Sequence, residues 1–182
     1  MMMARFLSVM VLASVLTTQA DTLTWVGAAG ADWNTASNWS PAKVPTAADD
    51  VLFTGDASPS MTAADASAGN VKVSSGTVSI TGNKVFRLNG TGGTGIIDVA
   101  DGAAMTIGPA FYGNSDGAIV VKKMGKGTFT FNNNVSYYVD SVEVAEGTVQ
   151  LGTGVGGDGF NPVGALVTVR ADTISALWAS TR

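Results

Sequence analysis

The chain has 182 residues, 10 basic against 14 acidic side chains, 23 glycines, and neither cysteine nor histidine. That inventory excludes a disulfide framework, a thiolate nucleophile, a cysteine-based metal site and any serine–histidine or cysteine–histidine mechanism. The acidic balance argues against nucleic acid and anionic membrane surfaces as partners, and β-branched runs punctuated by Gly, Asn and Ser point to an all-β chain.

Residues 1–20 have the parts of a secretory signal peptide: Arg5, an apolar run from Phe6 to Leu16, and Thr18-Gln19-Ala20 as the small-x-small cleavage site. The apolar core is well short of the roughly 20 residues a bilayer crossing needs, so cleavage after Ala20 is expected rather than anchoring. The mature chain is then exported, does not span a membrane, and without Arg5 has nine basic residues against fourteen acidic.

Residues 21–60 form a unit of different character, since Trp25, Trp33 and Trp39, three of the four tryptophans, fall within it. Residues 22–26 and 51–53 read as short strands, with turn chemistry between them. An open end of a β-solenoid exposes apolar core and unpaired edge, so the predicted role of this segment is an aromatic N-terminal cap. Residues 56–70, rich in Ala, Ser, Asp and Thr, read as a loop or an irregular first rung.

From Val71 onward a short phrase recurs: GTVSI at Gly76, GAAMTI at Gly102, GTFTF at Gly127 and GTVQL at Gly147. Runs at 71–73, 97–99 and 142–144 precede three of the copies, and a worn fifth copy follows at 167–174. The unit is strand, glycine turn, strand, at a period of 20 to 26 residues, which suits one coil of a parallel β-helix. Apolar side chains alternate along these strands, with Asp98 and Glu143 on the solvent-facing parity. Residues 61–182 are therefore expected to be β-helix repeats with helix nearly absent. The alternative is an antiparallel β-sandwich, in which Ser75-Gly76, Asp101-Gly102 and Glu146-Gly147 would close hairpins.

The stretch VVKKMGKGTFTFNNNVSYYVDSVEVAEGTVQLG, residues 120–152, resembles the autotransporter-associated β-strand repeat. Lys123, Gly125, Gly127, Thr128, Val144, Gly147, Thr148 and Leu151 fall on its pattern, while Phe131 stands where leucine is usual and residues 139–142 replace a Gly-Gly-Thr-Thr-Val approach. Residues 24–55 are similar to the tryptophan-rich opening of secreted proteins that carry such repeats. The resemblance implies a right-handed parallel β-helix passenger, exported through the inner membrane of a Gram-negative bacterium and held at the cell surface or outer membrane, or released. It also implies that further repeats and a C-terminal anchor or barrel are missing, so that the chain is an N-terminal fragment truncated after Arg182.

The expected function is that of a non-enzymatic surface or passenger protein, a structural spacer or adhesin, with surface glycans or other cell-surface proteins as partners. The alternatives are a carbohydrate-binding module and a fragment of a β-helix polysaccharide-degrading enzyme. Trp33, Trp39, Tyr137 and Tyr138 are the ligand-binding candidates, because rings flanked by amides suit sugar faces; for the tryptophans the cap competes with that role. Carboxylates occur at Asp49-Asp50, Asp98 with Asp101, and Asp140, Glu143 and Glu146, but nothing in their spacing fixes a catalytic pair, and no catalytic residue is assigned. One loose copy of a calcium nonapeptide, residues 156–163, is better read as a glycine-rich loop, so neither metal nor cofactor is expected.

Overall fold

The computed structural model describes residues 20–113, 119–132, 137–151 and 166–169. Residues 1–19 of the expected signal peptide, the calcium-like stretch at 156–163 and the chain beyond Val169 lie outside the described residues.

The chain opens with β1 (Thr22–Trp25) and, after a single 3₁₀ turn at Ala36–Asn38, β2 (Trp39–Ser40). A first lap follows in β3 (Asp50–Phe53), β4 (Ser60–Met61) and β5 (Ala66–Ala68). The second lap is β6 (Val71–Val73), β7 (Thr77–Gly82) and β8 (Val85–Leu88). The third comprises β9 (Thr94–Val99), β10 (Ala104–Ile107) and β11 (Ala110–Tyr112). The fourth comprises β12 (Val120–Met124), β13 (Thr128–Phe131) and β14 (Tyr137–Tyr138). Beyond these come β15 (Ser141–Val144), β16 (Thr148–Leu151) and β17 (Leu166–Val169).

Each lap gives one strand to each of three sheets. The first sheet runs β2-β1-β3-β6-β9-β12-β15-β17, the second β4-β7-β10-β13-β16 and the third β5-β8-β11-β14. Among the described residues every pairing between laps is parallel, and the one antiparallel pair is β1 with β2 at the N-terminal edge. The expected parallel β-solenoid is thus the fold, and the antiparallel sandwich is not. Registers such as Val51 with Val71, Val71 with Ile97 and Val121 with Val142 set laps of 20, 26 and 21 residues.

The supposed hairpin glycines are corners. Gly76, Gly102 and Gly147 adopt φ of 79°, 74° and 70°, where a Cβ is strained, and each turns the chain from the first sheet into the second. A parallel neighbour can be reached only by going round the coil, which is why strand-Gly-strand recurs in one direction.

Side chains on the inner parity stack lap on lap. Val78, Met105 and Phe129 form one buried column, Ile80, Ile107 and Phe131 another, and Ala66, Phe86 and Phe111 a third. Full burial of each large aliphatic or aromatic member contributes about 1.5–3 kcal/mol, and a polar residue at any of these positions would lose that and strand its own hydrogen bonds. As expected, Asp98 and Glu143 sit on the outer parity between buried Ile97 and Val99 and between Val142 and Val144. Residues 56–70, expected as loop or irregular rung, contain two short strands. Ser60 and Met61 pair with Thr81 and Gly82, and Ala66 to Ala68 pair with Phe86 to Leu88, so the irregular rung is a complete lap on three faces.

Candidate functional site

The N-terminal end is built around three indoles. Trp25 and Trp39 are cross-strand partners in the β1–β2 pair, with ring centroids 4.9 Å apart and edge to face. Trp33 meets Trp39 at 4.7 Å, again edge to face, and the Trp39 Nε1–H donates to the Trp33 carbonyl at 2.8 Å. Trp33 also touches Phe86 at 5.4 Å, and the contact passes on through Phe111 at 5.7 Å and Phe131 at 5.5 Å. An aromatic chain therefore runs from the lid down the axis of the coil. Trp33 is 0% exposed and Trp39 2%, so neither offers a face to a sugar ring; both serve as the cap. The two-residue β2 leaves little unpaired edge beyond it, which blunts that end of the sheet.

Tyr137 and Tyr138 form β14, in register with Phe111 and Tyr112. Their side chains lie outside the described residues, while their partners sit on opposite parities: Phe111 is buried, and Tyr112 is half-buried with the Arg87 guanidinium 5.6 Å from its ring centroid. The structure does not bring the tryptophans and this tyrosine pair together: β14 is three laps from the lap that the cap covers.

The carboxylates are dispersed and engaged. Asp49 is buried and accepts from Lys43 Nζ at 2.7 Å and from the Thr46 amide and hydroxyl at 2.8 and 2.5 Å. Burial pushes this carboxyl up, but the bonds from Lys43 and Thr46 outweigh it and hold the group below its ordinary range. Lys43 also pairs with Asp21 at 2.7 Å, tying the start of the coil to the loop before β3. Among the described residues no three carboxylates converge on a common centre. The outer face of the first sheet has a groove of about 270 Å³ whose walls include Asp50, Leu52, Asn70, Lys72, Ile96 and Asp98. Its polar groups answer one another: Asn70 donates to Asp50 at 2.8 Å and accepts from the Ile96 amide at 2.9 Å, and Lys72 pairs with Asp98 at 3.0 Å.

Sequence reasoning missed the role of Lys123. It stands in an inward column between Ile97 and Val144 and is 0% exposed. Its Nζ donates to the carbonyls of Met124 at 2.8 Å, Gly125 at 2.6 Å and Glu146 at 3.3 Å, joining the corner of one lap to that of the next. Gly125 has φ of 72°, and a Cβ there would lie 2.3 Å from the Val99 carbonyl oxygen, so the corner packs backbone on backbone. Burial pushes the Lys123 amine down to about 8, against the pull of Asp98 and Glu146. Closed off from solvent, the amine works as a clamp between coils. The signal was parity: Lys123 lies two residues after buried Val121, so the alternation that places valines inside places this lysine there too.

No helix among the described residues is long and apolar enough to cross a membrane. Neither a curated protein nor a solved structure matches the chain. The model of the family described as domain of unknown function DUF8693 matches residues 24–148, which takes in the tryptophan cap, the Lys123 clamp and the laps between them. With well over half its length so matched, the chain belongs to the DUF8693 family.

Proposed function

We propose that this chain is a non-enzymatic, exported surface or passenger protein, a structural spacer or adhesin built of autotransporter-associated β-strand repeats. The observation that carries the reading is the stack of laps, whose interior among the described residues is filled from the tryptophan lid to β16 by aliphatic and aromatic side chains, with Lys123 as the one inward charge. A filled axis leaves recognition to the lateral faces and gives the coil a length that grows by one strand spacing, about 4.8 Å, per lap. Export is supported by the signal-peptide pattern of residues 1–20.

The test is expression in a Gram-negative host with a C-terminal epitope tag, followed by cell fractionation, external protease treatment and N-terminal sequencing. The expected result is a chain beginning at Asp21 and located outside the inner membrane. An uncleaved chain that begins at Met1 and stays in the cytosol would contradict the reading. Release of unsaturated or reducing ends from a panel of acidic polysaccharides would contradict its non-enzymatic part.

A further inference from the structure

The three outer faces of the coil differ in chemistry. The first sheet displays Lys72, Asp98, Lys122 and Glu143, and the third displays Arg87 beside Tyr112. On the second sheet the outward positions of β7, β10, β13 and β16 hold no charged and no aromatic side chain.

What they hold is hydroxyls in register. Ser79, Thr106 and Thr130 fall in one rank across successive laps, and Thr77, Thr128 and Thr148 fall in a second. Ala104 interrupts the second rank and Gln150 ends the first, so the face stays uncharged throughout. Parallel pairing repeats each rank every 4.8 Å or so, and the two ranks stand about 6.6 Å apart along the strands. The result is a two-dimensional array of β-branched methyl and hydroxyl groups on a stiff support. Thr130 marks how closely it is set: it is only 8% exposed and falls on the outward parity between buried Phe129 and Phe131. Towards the N-terminal end the uncharged face gives way to a recess of about 340 Å³ lined by Asp56, Ser58, Thr77 and Ser79, where the Asp56 carboxylate accepts from the Thr77 amide at 2.8 Å.

An array without charge cannot select an ionic partner, and one without rings cannot stack on sugars. It suits a ligand that is itself a lattice of hydrogen-bonding oxygens. Water ordered in rows by fixed hydroxyls makes bonds nearly as good as direct ones, and the scaffold has already met the ordering cost. We propose that the outer face of the second sheet is an ice-binding surface, with the Thr and Ser ranks holding water in the repeat of the crystal. The inference rests on the fold and stands apart from the export reading.

The test is partition of the labelled full chain into slowly growing polycrystalline ice, with inhibition of ice recrystallisation as a second readout. The unchanged protein is expected to enter the ice phase several-fold above a non-binding control protein and to slow grain growth. Thr106→Lys with Thr128→Lys should abolish both effects, Thr106→Val with Thr128→Val should weaken them, and Lys122→Ala on the first sheet should leave them intact. Far-UV dichroism and the thermal midpoint of the valine variant show that any loss is not unfolding. Wild-type partition at the control level would overturn the proposal. So would equal partition by the folded lysine variant, or retention on microcrystalline cellulose or chitin that the same substitutions remove.

Discussion

Lys123→Met separates the buried clamp from an ordinary core position. Lys123 titrates near 8 in the folded chain against an ordinary 10.5, so between those values the unfolded chain holds more protons than the folded one. Stability must then rise with pH across this window, by about 1.4 kcal/mol per unit and by about 3 kcal/mol in all. The methionine variant removes the contribution of Lys123 and leaves every other group in place. At pH 8 and below two effects oppose each other in the variant. Three carbonyls lose a donor, at about 1–3 kcal/mol for each that is left unpaired, while the burial of a charge, of similar total size, is relieved. The net change there is expected within about 2 kcal/mol, and the sharper quantity is the difference in pH dependence. Urea unfolding of both proteins at pH 8 and pH 10.5, followed by far-UV dichroism, reads it. Wild type should gain about 3 kcal/mol on the variant across that interval. Parallel changes in the two proteins would refute a buried, depressed amine at this corner.

Three other substitutions test the cap and the corners. Trp39→Ala removes a buried indole and its bond to the Trp33 carbonyl, and should cost about 3–5 kcal/mol in urea unfolding; a loss below 1 kcal/mol would mean that the lid is not packed as described. Gly147→Ala sets a Cβ 2.5 Å from the carbonyl oxygens of Gly125 and Gly127, whereas Gly102→Ala meets nothing within 4 Å. Both carry the left-handed penalty of about 1–2 kcal/mol, so Gly147→Ala should be the more damaging by thermal melting, and equal losses would count against the stacked corner. For Asp49, whose folded value is depressed below the ordinary 3.8, the carboxylate's stabilisation is present above that pH and is lost as pH falls through the folded value. Asp49→Asn should therefore flatten the acid limb of the stability curve, measured by tryptophan fluorescence.

The coil was legible because its corners and its core follow separate rules that agree. Gly76, Gly102 and Gly147 mark where backbone must turn left-handed, and the alternation around Val71–Val73, Ile97–Val99 and Val142–Val144 marks which parity is inside. The strands Ser60–Met61, Ala66–Ala68 and Ala110–Tyr112 were harder, since two or three small or mixed residues carry too little alternation to stand out. Their pairing is imposed by longer strands of a neighbouring lap, β7 and β8. Trp33 and Trp39 illustrate a different limit: tryptophans beside amides suit a sugar site as well as the favoured plug, and only their burial against Phe86 and Phe53, fixed by tertiary structure, assigns the plug. Lys123 was hidden by its type, because composition places lysine outside and only strict parity places it inside.

The parallel, in-register coil is tested most directly by paired cysteines in this cysteine-free chain, one pair on each face: Lys72→Cys with Asp98→Cys, Ser79→Cys with Thr106→Cys, and Arg87→Cys with Tyr112→Cys. Registered neighbours on parallel strands sit about 4.8 Å apart, within the span a disulfide accepts. All three pairs should cross-link intramolecularly under mild oxidation, seen as an oxidant-dependent shift on non-reducing gels. Pairs that remain reduced, or that link only between molecules, would contradict the coil.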